Sequence, residues 1–444
     1  MLATILSTLS IIAILTLYLT SRSCSRPRPP PEPNMKSITQ PQTLRYATPN
    51  ECRFVIQGVS LPGHGKNKLS QYAARSRENS ELQRIFGIDN AFTTDNAKDA
   101  KDFVGRARKR IQFLAFEWED LRRIVNDAAR RVADQPGSGD GDGYGEVRIR
   151  LTPVVQALSL RADFQVLFDF EGGIEDMHLE RLGEVIHRTW MDMKTAQKHI
   201  PDFKDNHDLQ DRLSAIFKDR GYDVLNPAGN PLNYTLPAFE TQWRIVLRMF
   251  IALSRRNGDK YEDWKAIMIA FARNPTDEQF KYGVRVRIHG NEDEESTRIS
   301  ANFLVKEALR LYPPTRRIRR AFQFSGSSEY VTAAADVEAC QTDPSVWGAD
   351  ASEFNPARWM TLNREQKDSF LAFGGSPFSC PAGSDFGPRV IGLLVGVLLE
   401  VFQDGWTLYT DDVEEMDWIN SENRLKNERE AYEGVCLVRK TRSG

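Results

Sequence analysis

The sequence predicts a mainly α-helical fold with a minor β component. Two long regions, 80–135 and 150–275, carry apolar residues at helical spacing. Segments with strand character are few and short, at 282–288, 329–333 and 434–440. No alternation of strands and helices indicates a doubly wound sheet. We therefore expect one large helical domain with small sheets.

The composition excludes several classes of protein. The 444 residues include 59 Lys and Arg against 61 Asp and Glu, a net charge of −2, so nothing indicates a nucleic-acid partner. A hydrophobic fraction of 41% excludes wholesale disorder. The cysteine count is odd and the positions are scattered, which argues against a disulfide framework and favours a reducing compartment. The cysteines stand at 24, 52, 340, 380 and 436.

The N-terminus predicts a membrane anchor. Residues 1–20 carry no charge, and at ~1.5 Å per residue a helix of this length matches a hydrocarbon core of ~30 Å. No Lys or Arg precedes the segment and no small-residue cleavage site follows it, so an uncleaved transmembrane helix is favoured over a signal peptide. The basic residues that follow place the rest of the chain in the cytoplasm. Residues 21–36 are Pro-rich and predict an extended linker, which leaves 37–444 as the main domain.

Cys380 is the most informative cysteine. A Gly/Ser/Pro-rich segment leads to it, and a long apolar helix is predicted after it. A thiol near a helix N-terminus is stabilised as a thiolate by the helix dipole and by free N–H groups. A thiolate can ligate iron, and neighbouring glycines let the backbone approach a flat ligand closely. The alternative is a buried cysteine that acts as a small hydrophobic residue at a loop–helix junction.

The segment 373–382 resembles the haem-binding loop of the cytochrome P450 family, whose pattern is F-x-x-G-x-R-x-C-x-G. Phe373 and Cys380 match this pattern. Three positions depart from it, where the family has glycine, arginine and glycine: Ser376, Phe378 and Ala382. The resemblance implies a cytochrome P450-like fold that binds haem b, with Cys380 as the axial iron ligand and Phe373 in the cofactor-binding loop.

Two upstream segments strengthen the resemblance. Glu307 and Arg310 form an E-x-x-R pair followed by Leu-Tyr-Pro-Pro, and the segment 343–359 is similar to the one that supplies a second arginine, here Arg358. The resemblance implies a buried ion network of these three residues that locks the haem loop, since buried charges persist only when they are paired. Read without the family, Glu307 and Arg310 are equally an ordinary surface pair worth about 0.2–0.5 kcal/mol.

A further resemblance concerns the central helix. Residues 237–241 occupy the place of the family pattern (A/G)-G-x-(D/E)-T, which implies that Glu240 and Thr241 form an acid–alcohol pair that relays protons. An acidic first helical turn is the alternative reading. Pro237 lacks an N–H group and crowds the preceding turn, so we expect it to kink the helix or to start a new one.

The last resemblance concerns the haem propionates. Trp118-x-x-x-Arg122 is similar to the family's W-x-x-x-R helix, and this spacing places both side chains on one helix face. An amphipathic surface helix explains the spacing as well. Phe378 replaces the arginine that usually binds a propionate from the loop. The resemblance therefore implies that Arg122, together with Arg319 or Arg320, binds the negatively charged propionates instead.

The resemblance implies a membrane-anchored haem-thiolate monooxygenase that inserts one oxygen atom from O2 into an apolar small molecule, such as a secondary metabolite. The chain has no flavin or dinucleotide fingerprint, so electrons would come from an NADPH-dependent reductase in the same lipid bilayer. We expect a single-pass protein of the endoplasmic reticulum membrane with its domain on the cytoplasmic face, from a divergent fungal branch. Two alternatives stay open: a haem-thiolate isomerase, dehydratase or peroxide-using enzyme, and a haem-free membrane-tethered scaffold.

Overall fold

The computed structural model describes residues 43–113, 115–135, 144–170, 173–195, 200–256, 258–286 and 297–442. The predicted anchor at 1–20 and linker at 21–36 lie outside these ranges and stay predictions. Within these ranges, no helix has both the length and the apolar character that a bilayer crossing requires.

The described residues are mostly helical, as the sequence predicts. The α-helices are α1 (Pro49–Gln57), α2 (Gln71–Glu78), α3 (Ser80–Phe86), α4 (Ala97–Arg110), α5 (Ala115–Ala133), α6 (Leu151–Phe168), α7 (Asp176–Thr195), α8 (His207–Phe217), α9 (Leu232–Ser254), α10 (Asp259–Arg273), α11 (Asp277–Lys281), α12 (Ala301–Leu311), α13 (Val337–Gln341), α14 (Pro344–Trp347), α15 (Arg364–Ser369), α16 (Phe386–Val401) and α17 (Val413–Asn420). Short 3-10 helices lie at Phe203–Asp205, Lys218–Arg220 and Pro356–Met360.

The β component consists of small sheets. The strands are β1 (Leu44–Tyr46), β2 (Ser60–Leu61), β3 (Gly65–Lys66), β4 (Tyr144–Arg150), β5 (Val284–Val286), β6 (Thr297–Ile299), β7 (Arg317–Phe322), β8 (Val331–Asp336), β9 (Trp406–Tyr409) and β10 (Cys436–Arg442). One sheet has the order β1-β8-β7 and another β4-β10-β9, while β2-β3 and β5-β6 are hairpins. The predicted strands overlap β5, β8 and β10. The sequence does not predict β7, because its arginines leave neither an apolar run nor an alternation of apolar and polar residues.

The core is a helical bundle in which α9 packs against α6 and α16, and α5 packs against both α6 and α16. Gly396 of α16 allows α10 to approach closely, since a Cβ atom there would lie 2.4 Å from the Met268 carbonyl oxygen and 2.6 Å from Ala272 Cβ. Helix α9 is almost wholly buried, apart from a stripe of half-buried residues at helical spacing. The stripe consists of Tyr234, Pro237, Ala238, Thr241 and Arg244.

Pro237 lies inside α9, which begins five residues earlier, so the expectation that a new helix starts at this proline is wrong. The missing N–H of a helical proline frees the carbonyl group four residues before it. That carbonyl belongs to Asn233, and it accepts a hydrogen bond from Asn90 Nδ2 at 3.0 Å. A side chain from a distant segment thus replaces the lost helical bond, and the helix continues.

Candidate functional site

Backbone hydrogen bonds shape the loop that carries Cys380. The Gly374 N–H donates to the Leu371 carbonyl at 2.8 Å, and the Cys380 N–H donates to the Phe373 carbonyl at 2.9 Å. Gly374 has a φ of 72°, in the left-handed region that glycine adopts without strain. The thiol-bearing residue is therefore held by the loop's own turns.

Phe373 packs beneath the end of this loop. A Cβ atom at Gly383 would lie 2.7 Å from Phe373 Cγ, so only glycine at this position leaves room for the ring. A Cβ atom at Gly387, in the first turn of α16, would lie 3.3 Å from the same ring. Phe373 thus sets the position of the loop against the start of α16.

The Cys380 thiol receives its hydrogen bonds from the turn that follows it. Helix α16 begins at Phe386, six residues later, so the thiol is not capped by the helix N-terminus as the sequence analysis expects. The backbone N–H groups of Ala382 and Gly383 donate to the sulfur instead. The side chain itself is exposed, while desolvation by the surrounding protein raises the pKa of the thiol and the two N–H groups oppose that rise.

Glu307, Arg310 and Arg358 meet in one buried ion network. Arg310 Nη2 lies 2.8 Å from Glu307 Oε1, and Arg358 Nε lies 3.0 Å from the same oxygen. The side chains of Glu307 and Arg310 are completely buried. Trp359 Nε1 donates to Glu307 Oε2 at 2.9 Å and the Asn355 N–H to Oε1 at 3.0 Å. Every oxygen of the buried carboxylate therefore has partners, as a buried charge requires.

Gln341 connects this network to the cysteine loop. Arg310 Nη1 donates to the Gln341 carbonyl at 2.9 Å, and Gln341 Nε2 donates back to the Arg310 carbonyl at 2.9 Å. On its other side, Gln341 Oε1 accepts from the Leu371 N–H at 2.7 Å. Leu371 is also the acceptor of the first loop turn, so the ion network and the loop that carries Cys380 are parts of one hydrogen-bonded unit.

Thr241 and Glu240 lie on different sides of α9. Thr241 belongs to the half-buried stripe, and its Oγ1 donates to the carbonyls of Pro237 and Ala238, both at 3.1 Å. Glu240 is buried and forms an ion pair with Arg429, while its Oε1 has no hydrogen-bond partner among the described residues. The two residues are adjacent in sequence, but among the described residues Thr241 donates to its own helix and Glu240 pairs with Arg429, with no hydrogen bond between their side chains.

Arg429 extends this ion pair towards the surface, and the sequence analysis missed it. Arg429 Nη1 lies 3.1 Å from His187 Nδ1, and His187 Nε2 lies 2.8 Å from Glu433 Oε1. Burial lowers the pKa of Arg429 to about 9. No motif marks Arg429 or His187, because the contact joins segments that are far apart in the chain.

Trp118 and Arg122 have partners other than a propionate. Trp118 is buried against Phe386, with ring centroids 5.5 Å apart, and the Arg389 guanidinium lies 4.2 Å from its ring. Arg122 Nε donates to the Ala272 carbonyl at 3.1 Å, and its Nη1 pairs with Glu119 at 3.3 Å. The structure therefore places Arg122 against α10, and its predicted propionate contact stays a prediction.

Of the two arginines predicted after the E-x-x-R helix, the structure places Arg320 against the loop. Arg319 is exposed, whereas Arg320 is buried and its guanidinium lies 4.9 Å from the Phe378 ring. The guanidinium of Arg75 on α2 lies 4.2 Å from the same Phe378 ring. No sequence motif marks Arg75. Among the described residues, neither guanidinium has a carboxylate within 4.0 Å. Glu78, whose charge favours the charged form of Arg320, accepts a hydrogen bond from Thr332.

These residues fit a haem group. An exposed thiol with two N–H donors suits an iron-bound thiolate. Two buried guanidinium groups without a carboxylate partner suit a flat ligand that carries two carboxylates of its own, since an unpaired buried charge is costly. The site thus offers a metal ligand at Cys380 and complementary charge at the Phe378 ring, two residues before it.

No protein-family model matches the chain. Among curated proteins, the chain is similar to cytochrome P450 705A22 of Arabidopsis thaliana, at 30% identity over 149 residues, which is 30% of this chain and 26% of that protein. It is also similar to cytochrome P450 705A1 of the same plant, at 32% identity over 25% of this chain and 23% of that protein. The Arabidopsis cytokinin hydroxylase matches at 22% identity over 70% of this chain and 62% of its own length. The matches thus span less than two thirds of these relatives.

Solved structures share the fold. A cytochrome P450DA mutant haem domain has a TM-score of 0.51 at 13% identity, with 90% of this chain and 87% of that chain covered. CYP175A1 of Thermus thermophilus has a TM-score of 0.50 at 15% identity, with 82% of each chain covered. The chain thus has the fold of solved cytochrome P450 structures, and parts of it are similar in sequence to curated cytochrome P450 proteins.

Proposed function

We propose that this chain is a haem-thiolate monooxygenase in which Cys380 binds the haem iron. The observation that carries this proposal is the coupling of the cysteine loop to the buried Glu307–Arg310–Arg358 network through Gln341. A buried network of charges is costly to build, and here it fixes a loop whose thiol is exposed. This arrangement is what a metal ligand needs, because its sulfur must be held in place yet stay accessible.

Each residue around the loop has a defined task in this function. Cys380 would hold the iron as a thiolate, and the N–H groups of Ala382 and Gly383 would stabilise the negative charge on its sulfur. Bound haem supplies the iron centre at which dioxygen is activated for transfer of one oxygen atom to the substrate. Arg320 lies buried beside the loop and offers its charge to a propionate.

The half-buried stripe on α9 supports a substrate site. Its residues include Pro237, Ala238 and Thr241, which interrupt an otherwise buried helix surface with small or apolar groups. A substrate beside this stripe would contact a surface that excludes water, as ligand pockets commonly do. Thr241 Oγ1 would exchange a hydrogen bond to its own helix for one to the reacting oxygen, and so hold a proton there.

The proposal extends to the surroundings of the protein. The apolar segment 1–20 would anchor it in the endoplasmic reticulum membrane, with the domain on the cytoplasmic face. An NADPH-dependent reductase would supply the two electrons, and the substrate would be an apolar small molecule of secondary metabolism. The absence of a dinucleotide fingerprint from the sequence supports an external electron donor.

The proposal is tested with the reduced, carbon-monoxide-treated spectrum of the purified full chain. We expect a thiolate-ligated haem signature in the wild type, its loss in Cys380→Ala, and its retention in Cys436→Ala, a buried cysteine of β10. A colourless wild type produced with ample haem would overturn the proposal and favour the haem-free scaffold. A signature that survives Cys380→Ala would overturn the assignment of the ligand.

A second candidate keeps haem and the thiolate but not dioxygen activation, as in an isomerase, a dehydratase or a peroxide-using enzyme. The observation that favours it is the buried ion pair of Glu240 with Arg429, which holds the acid away from a relay through Thr241. Turnover of a substrate that depends on reductase, NADPH and dioxygen together supports the monooxygenase. Turnover that needs none of these, or peroxide alone, supports the second candidate.

A further inference from the structure

Arg75 is a buried cation that forms no ion pair with any acid among the described residues. Its side chain is 6% exposed, on a helix α2 that is otherwise short and polar. One guanidinium nitrogen, Nη2, donates to the Ala91 carbonyl, and its Nε has no hydrogen-bond partner among the described residues. Burial lowers the pKa of Arg75 to about 10, which reflects the cost of keeping this charge out of water.

A second cation lies beside it, and it too forms no ion pair within the described part of the chain, although the charge of Glu78 acts on it from beyond ion-pair distance. Arg320 is 5% exposed, and its Nε donates to the Ile56 carbonyl at 3.1 Å. Burial first, and the charge of Arg75 second, lower the pKa of Arg320 to about 9. Two like charges that repel each other in the interior destabilise the folded chain unless an anion joins them. The pair thus indicates a ligand with negative charge.

Phe378 holds the two cations in place. Its ring lies 4.2 Å from the Arg75 guanidinium carbon and 4.9 Å from that of Arg320, both within cation–π range. Tyr72, one turn before Arg75 on α2, packs its edge on the same ring with centroids 5.3 Å apart. Phe378 stands two residues before Cys380, so the paired cations lie at the edge of the loop that presents the thiol.

We propose that Arg75 is a haem-propionate anchor in this chain and that the Phe378 ring, packed between Arg75 and Arg320, aligns both guanidinium groups on the propionates. Haem carries two carboxylates, one for each cation, so its binding neutralises both charges at once. This inference rests on the proposed function, since it assumes haem at Cys380. Phe378 stands where the family's loop has an arginine, so the loop supplies no cation for the propionates at this position. Arg75 of α2 would supply that cation, and the Phe378 ring would orient it.

The test measures how fast haem leaves the purified holoprotein for an excess of apomyoglobin, together with the haem content per chain. We expect Arg75→Gln to speed haem release by about tenfold or more, because a lost charge-assisted hydrogen bond in a buried site is worth at least that factor. Arg77→Gln is the matched control. Arg77 lies on the same helix and its guanidinium lies 3.5 Å from an aromatic ring, that of Tyr330, but its side chain is exposed and this ring is outside the cysteine loop. It should release haem at the wild-type rate.

A rescue variant separates charge from packing. Adding Phe378→Arg to Arg75→Gln returns a cation to the same site, so haem release should slow towards the wild-type rate. If Arg75→Gln does not accumulate as folded protein, Phe378→Ala tests the same arrangement. This variant removes the ring that both guanidinium groups contact, so haem release should be faster than in the wild type.

The outcomes distinguish this inference from the proposed function. A wild type that retains haem through Cys380 while Arg75→Gln or Phe378→Ala releases it at the wild-type rate overturns the inference and leaves the proposed function intact. A wild type that binds no haem overturns the proposed function and the inference together.

Discussion

Glu307 and Arg310 form a bidentate ion pair within one turn of α12, with Nη2–Oε1 at 2.8 Å and Nε–Oε2 at 3.0 Å. Both side chains are fully buried, so the pair is shielded from water and salt. Arg358 reaches the same carboxylate from the 3-10 helix Pro356–Met360. The pair therefore joins the end of α12 to the segment that leads to the cysteine loop.

Glu307→Gln should destabilise the fold by about 3–5 kcal/mol, because it leaves the buried Arg310 without its counter-charge and Arg358 with Asp350 alone. The matched control is Glu262→Gln, which breaks an exposed i,i+3 pair with Lys265 on α10 and should cost at most about 0.5 kcal/mol. Urea denaturation of both variants measures the difference. Equal losses would show that the network does not act as a buried unit.

The pair of Glu240 with Arg429 should behave as a coupled unit in the same way. Arg429→Met leaves the buried carboxylate unpaired and should cost about 3–5 kcal/mol, while the double variant with Glu240→Gln should recover part of that loss. A double-mutant cycle by denaturation measures the coupling, which we expect to exceed about 0.5 kcal/mol. Additive effects would argue that the two side chains do not share a pair in solution.

Asp163 of α6 should make stability fall as the pH rises. Burial raises the pKa of its carboxyl well above the usual range, and its Oδ2 has no partner among the described residues. The folded protein then holds a proton that the unfolded chain has released, so the stabilisation present below the usual Asp pKa is lost as the pH rises through the raised value.

Asp163→Asn removes that loss, so its melting temperature should exceed that of the wild type at neutral pH, with a gap that closes in acid. Thermal unfolding across the pH range checks this. Asp127→Asn, at an exposed position on α5, is the control. The prediction is wrong if the difference in melting temperature between the wild type and Asp163→Asn is the same at every pH.

Gly396→Ala should destabilise the α10–α16 contact by about 1–3 kcal/mol, since its methyl group meets the backbone of Met268 at 2.4 Å and the backbone cannot move aside without cost. Gly105→Ala is the opposite case. Gly105 lies inside α4 with nothing within 4 Å of its added Cβ, so the change should stabilise the fold by about 0.5–1 kcal/mol. Melting temperatures that shift in the same direction for both variants would refute this account of α16 packing.

Several features of the site could be predicted from local sequence. The spacing of Glu307 and Arg310 puts both on one face of a helix that ends before Pro313, and this is how they lie in α12. The glycines around Cys380 predict a loop of tight turns, and the backbone there has a left-handed glycine at 374. Such features depend on residues a few positions apart, so the sequence contains nearly all the information that determines them.

Other features depend on contacts between distant segments. Asn90 supports α9 at Pro237, and Arg429 pairs with Glu240, yet neither residue stands in a motif. Arg122 has the spacing of a propionate ligand but donates to Ala272, because the packing of α5 against the neighbouring helices decides where its side chain goes. Spacing along a helix selects a face, and only the neighbouring helices determine what that face contacts.

Local sequence patterns are enough to predict that the chain is mainly helical, that a cysteine follows a glycine-rich loop, and that several arginines stand in the run 316–320. Which of these arginines lies against the loop depends on long-range strand pairing. In β7, alternate side chains point to opposite faces, and pairing with β8 turns Arg320 inward opposite Ala333 and leaves Arg319 exposed. The tertiary fold also brings Arg75 to Phe378, although more than half the chain separates them. Contacts of this kind depend on burial and strand register across distant segments, so no local sequence pattern predicts them.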